Sequence, residues 1–85
     1  MISQIEHNIL RGLIHNEAYA RKVLPYVKDV YFETSISRTY FELCQKYFQE
    51  YNNSPGKSEL GILIERLEGL NEDEFKDIGA AFESL

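Results

Sequence analysis

Apolar residues recur along this chain in steps of three and four, and Pro, Gly, Asn and Ser gather between the periodic stretches. Ile5, Ile9, Leu10, Leu13 and Ile14 keep this spacing and predict a first helix. Ser3 and Glu6 have the separation of a capping box at its start, the hydroxyl accepting from a backbone N–H three residues on and the carboxylate reaching back. Asn16 is suited to end this helix and cap a second, which Ala18, Tyr19, Val23 and Leu24 line. Pro25 breaks the second helix or begins a further short turn. Val27 to Phe32 alternates loosely and is rich in Val and aromatics, but no other stretch offers it a sheet partner. It reads as a turn with extended backbone.

A third helix, capped by Ser35 or Ser37, is predicted over roughly residues 37–51, about four turns. Tyr40, Phe41, Leu43, Cys44, Tyr47, Phe48 and Tyr51 give it a wide apolar face. Asn52-Asn53-Ser54-Pro55-Gly56 is the strongest breaker in the chain. Lys57 or Ser58 then opens a fourth helix carrying Leu60, Leu63, Ile64 and Leu67, which Gly69 closes. Asn71 caps a fifth, with Glu72, Asp73 and Glu74 at its positive end and Phe75, Ile78, Phe82 and Leu85 as its stripe. That stripe is still running at Leu85, as expected of a trimmed piece or of a natural sequence that continues. The pattern predicts an all-α fold, a compact bundle of about five short-to-medium helices forming a single domain over residues 1–85.

With 85 residues the core has to be efficient, and 44% hydrophobic content with 13% aromatics supplies the material for one. Charged residues, at 27%, sit near the globular average and away from the composition of disordered chains. The net charge of −5 is unevenly spread: residues 1–48 carry +1 and residues 49–85 carry −6. An acidic chain without a basic stripe is poorly suited to phosphates, so direct nucleic-acid binding is not expected. The acidic half is either a solvated surface or a face for a basic protein partner, with Glu72, Asp73 and Asp77 as candidate contacts. Cys44 stands alone, so an internal disulfide is impossible. The apolar runs are far short of a membrane span and the first residues lack a signal-peptide pattern, so a cytoplasmic location is the expectation.

Gly56-Lys57-Ser58 spells the end of a phosphate-binding loop. Such a loop needs a further glycine five positions before the first of these, where this chain has Tyr51, and it must leave a buried strand. Here a helical, aromatic segment precedes it and Pro55 removes an N–H. The motif therefore reads as a turn followed by a helix start, and the alternative of an enzyme using Lys57 on phosphates is a separate hypothesis. His7 and His15 lie two turns apart without the spacing of a metal pair, and Cys44 on an aromatic face reads as a small core residue. No catalytic, cofactor or metal residues are assigned. The aromatic helix carries the remaining signal: its rings are all core, or Tyr40, Tyr47 and Tyr51 along one side form a contact surface.

The stretch from Ile5 to Pro55 resembles the opening of the DnaB-type hexameric replicative helicases, most of all those of T-even-type phages. The resemblance runs through Glu6, Leu10, Gly12, Leu13 and Ile14, the turn and helix from Asn16 to Leu24, the pair Tyr31-Phe32, then Phe41, Pro55, Leu60 and Leu67. Ser37 stands where bacterial members have His, and Arg11 where they favour a second Gly, which points to the phage branch. The resemblance implies the N-terminal collar domain of a helicase, contributing to hexamer organisation and to primase or loader contact. ATP, magnesium and duplex unwinding would belong to a RecA-like domain downstream, and the location would be the cytoplasm of an infected host cell. The bacterial domain is followed by a helical hairpin used in subunit contacts, and these 85 residues hold none. The alternative is a stand-alone helical adaptor, or the helicase-binding domain of a primase.

Overall fold

A computed structural model describes residues 4–85, Asp29 through its backbone alone. Five α-helices and one 3₁₀ turn succeed one another: α1 (Gln4–His15), α2 (Glu17–Val23), the turn Asp29–Tyr31, α3 (Ser35–Tyr51), α4 (Lys57–Glu65) and α5 (Glu72–Ser84). No strand occurs among the described residues, and the fold is all-α as the periodicity predicts. The Ser3 cap expected for α1 lies outside the described residues.

Leu10, Leu13 and Ile14 turn the apolar side of α1 into the core, but Ile5 is 74% exposed and leaves the expected stripe. The inward place in the first turn goes to Glu6, which is buried and whose carboxylate accepts from the backbone N–H of Glu33 at 2.7 Å. A charge-assisted bond of this kind holds the entry to α3 against α1. Asn16 caps α2 by accepting from Tyr19 N–H at 3.0 Å, as its position predicts. The Tyr19 ring then lies on Gly12, where an added Cβ would meet it at 2.6 Å. The missing side chain at residue 12 is what lets α2 approach α1 so closely.

Thr34, rather than Ser35 or Ser37, caps α3, accepting from Ser37 N–H at 3.2 Å. The Thr34 hydroxyl donates to the buried Ser37 hydroxyl at 2.8 Å, so Ser37 serves the inside of the first turn. Arg38 reaches back to donate to the carbonyls of Phe32 and Glu33, at 2.8 and 3.2 Å. These bonds seat Phe32 in the core, where its ring stacks on Phe41 with centroids 5.1 Å apart. Within the segment read as a turn with extended backbone, Asp29–Tyr31 is a tied-down 3₁₀ turn. At its other end α3 stops at Asn52, whose φ of 55° is the left-handed conformation that closes helices.

Helix α3 is the axis of the molecule, packing against α1, the 3₁₀ turn, α4 and α5. Leu60 and Ile64 of α4 and Ile78 of α5 complete the core around Leu10, Leu13, Phe41 and Cys44. Asn71 and Glu74 form the capping box that opens α5. The end of α5 is held by α1: His7 Nε2 lies 3.0 Å from the Ser84 carbonyl, and His15 Nε2 lies 2.5 Å from the Leu85 carbonyl. No buried side-chain nitrogen or oxygen among the described residues lacks a partner. The radius of gyration is 11.8 Å, against about 12 Å for a compact chain of this length.

Candidate interaction surface

Leu43, Lys46, Tyr47, Glu50 and Tyr51 recur at the helical repeat along the C-terminal half of α3. Leu63 of α4, with Arg66 and Leu67 just beyond its end, lies across from them. The two rows bound a groove of about 340 Å³. It stays open because α4 spends Leu60 and Ile64 on the core, stops at Glu65 and leads into a loop. Tyr47 is half-buried and Tyr51 is 59% exposed, their ring centroids 4.5 Å apart and their planes at 45°. Such tilted ring pairs hold each other in place.

The rim is rich in donors. Lys46 and Arg66 make no ion pair; the one ion pair among the described residues joins Arg21 to Glu17. Neither tyrosine hydroxyl in the groove has a hydrogen-bond partner among the described residues, and Glu50 is the one carboxylate lining it. Chemically this is an apolar slot edged by two cations and two phenols. It suits an apolar side chain carried on a segment with carboxylates.

Tyr40 is not part of it. Although named with Tyr47 and Tyr51 as a candidate contact, it is fully buried and donates its hydroxyl to the Ile78 carbonyl of α5 at 2.5 Å. Burial, with Cys44 beside it, pushes its hydroxyl well above the usual tyrosine range. Cys44 is likewise sealed, and burial pushes its thiol up to about 12, which makes it a neutral packing residue.

The acidic candidates lie elsewhere. Glu72 and Asp73 are exposed on the first turn of α5. Asp77 lines a small cleft of about 60 Å³ with Ser35, Ile36 and Thr39, on the N-terminal half of α3. The tyrosine groove and the acidic helix are therefore two surfaces. Phe75, predicted as part of the inward stripe of α5, is 48% exposed beside Glu72. Ile78, Phe82 and Leu85 fill the inward face without it.

A second hollow, about 390 Å³, lies on the other side of α3 between Phe48, Gln45 and Gln49 and the α2 exit at Leu24, Pro25, Val27 and Lys28. Tyr26, Val30 and Tyr31 on that exit are 79%, 73% and 62% exposed, the densest run of bare apolar side chains among the described residues. Sequence reasoning missed this patch. The signal for it was an aromatic and β-branched run with neither helical spacing nor a sheet partner.

Gly56-Lys57-Ser58 forms the N-cap and first turn of α4, entered from a loop that follows a helix. The Lys57 ammonium sits 5.1 Å over the Phe82 ring and 3.5 Å from the Glu83 carbonyl, steadying the end of α5. Among the described residues no group of three or more His, Cys, Asp or Glu converges as a metal site, and no helix is long and apolar enough to cross a membrane.

The chain is 35% identical over 57 residues, 67% of its length, to a DnaB-like replicative helicase of Enterobacteria phage T4. It is thus related to a region of that protein, and the match spans 12% of the helicase. No family model matches the chain.

Proposed function

We propose that these 85 residues are the N-terminal assembly and partner-docking domain of a replicative ATP-dependent DNA helicase. The observation that carries the reading is the similarity to the phage T4 helicase. The fold supports it by giving residues of the helicase-like pattern structural work: Glu6 ties α1 to the α3 entry, Gly12 admits Tyr19, and Leu10, Leu13, Phe41 and Leu60 build the core. The parent unwinds duplex DNA at the replication fork, with ATP and magnesium bound by other residues. This domain helps organise the hexamer and meets primase or a loader through its grooves, in the cytoplasm of the infected cell.

The test begins with the reading frame beyond the Leu85 codon. A strand followed by Gly-x4-Gly-Lys-Ser/Thr and a helix is expected there. In that parent, removing residues 1–85 should leave nucleotide hydrolysis measurable while ring assembly or primase capture is lost. A stop codon after Leu85, or tight Mg-ATP binding by the 85 residues alone, contradicts the reading.

A further inference from the structure

We infer that the tyrosine groove between α3 and α4 takes the acidic first turn of α5 from a second copy of this chain, with Phe75 as the inserted ring. This rests on the reading of the groove as a docking surface and names its occupant.

Two surfaces that a single copy keeps apart are complementary. The groove offers Lys46, Arg66 and the Tyr47 and Tyr51 hydroxyls as donors around Leu43, Leu63 and Leu67, with Glu50 as the only opposing charge. The start of α5 offers the reverse. Glu72 and Asp73 are exposed carboxylates, and Phe75, one helical turn from Glu72, is a ring left 48% exposed in its own copy. Glu74 is already used in the capping box with Asn71, so the carboxylates left for a partner are the two that flank the exposed side of the turn. A groove of about 340 Å³ has room for a phenyl ring. Aromatic anchors in such slots, surrounded by charges of opposite sign, are the usual centre of a specific interface. The Tyr26–Val30–Tyr31 patch is barer, but the hollow beside it carries a single cation, Lys28, among its lining residues. Contact of groove with helix in both directions gives a closed pair, and in one direction a ring or string.

Sedimentation equilibrium of the 85-residue chain tests this. The wild type is expected to self-associate with concentration, and less so as salt rises. Lys46→Glu with Arg66→Glu should weaken association by about tenfold or more, and so should Glu72→Lys with Asp73→Lys. Mixing the two reversed variants should restore it, because each then supplies what the other lost. A variant that had merely unfolded would not be rescued. A wild type that stays monomeric to about millimolar concentration, or two reversals that do not rescue each other, overturns the inference. So does binding confined to an unrelated acidic peptide. Loss of ring assembly on removing residues 1–85 from the parent, with no self-association of the chain, would leave the docking role standing and refute only this occupant.

Discussion

Tyr40 and Tyr51 stand on the same side of α3, about three turns apart, yet one is fully buried and the other is 59% exposed. The difference lies in what crosses the helix at each level. Around Tyr40, α5 presents the Ile78 carbonyl, while Phe41 next to it meets the ring of Phe32, held down by Arg38 and the Glu6–Glu33 bond. Around Tyr51, α4 has already ended, and the chain turns away through Arg66 and Leu67. Helical spacing decides which residues share a face; the lengths and exits of neighbouring elements decide how far along that face burial extends.

The largest effect is expected at the buried end of α3. Phe41→Ala should destabilise the chain by about 3–5 kcal/mol, the cost of a large cavity in a close-packed core. Urea unfolding measures it, and a loss below about 1 kcal/mol would place Phe41 outside the core.

Alkaline pH separates the ends next. The buried Cys44 thiol has been pushed up from 9.0 to about 12, and the Tyr40 hydroxyl lies above its ordinary 10.0. In the unfolded chain these groups lose their protons near 9.0 and 10.0, whereas the folded chain keeps them. The folded state then binds more protons, so the stabilisation is complete below pH 9.0 and falls as pH rises toward about 12. Each group contributes a slope of about 1 kcal/mol per pH unit where only its unfolded form has ionised. Urea midpoints from about pH 8 to about pH 11 should show the decline, and Cys44→Ala should remove the part that begins first.

Tyr40→Phe removes one buried hydrogen bond and should cost about 1 kcal/mol, whereas Tyr47→Phe should change stability by less than half of that. Smallest is Tyr51→Ala, which should stay within about 0.5 kcal/mol of wild type in unfolding, as for surface positions generally. Equal losses from the Tyr40 and Tyr47 changes would erase the distinction between the two levels of α3.

The number and order of helices were legible in the sequence because their signals are local. Asn16 and Asn71 cap where they stand, and the Asn52 to Gly56 run breaks the chain there. The core side of each helix was legible through spacing. Ile5 and Phe75 mark where spacing stops being enough, since both sit in first turns, at the edge of what their neighbours cover. Two of the three candidate tyrosines, Tyr47 and Tyr51, line the groove, while Tyr40 does not. No pattern within α3 distinguishes them, because the deciding contacts come from Ile78 and from the end of α4, more than a dozen residues away in sequence. Lys46 and Arg66 carried no signal until the fold set them on one rim.

On this reading the open end of α3 receives the start of α5 from a second copy of the chain. A dilution series of ¹H–¹⁵N spectra of the wild-type chain tests it most directly. Amide signals of Lys46, Tyr47, Tyr51 and Arg66 are expected to shift together with those of Glu72 to Phe75 as concentration rises, while those around Phe41 stay fixed. Spectra that do not change, or shifts confined to Tyr26 through Tyr31, would contradict it.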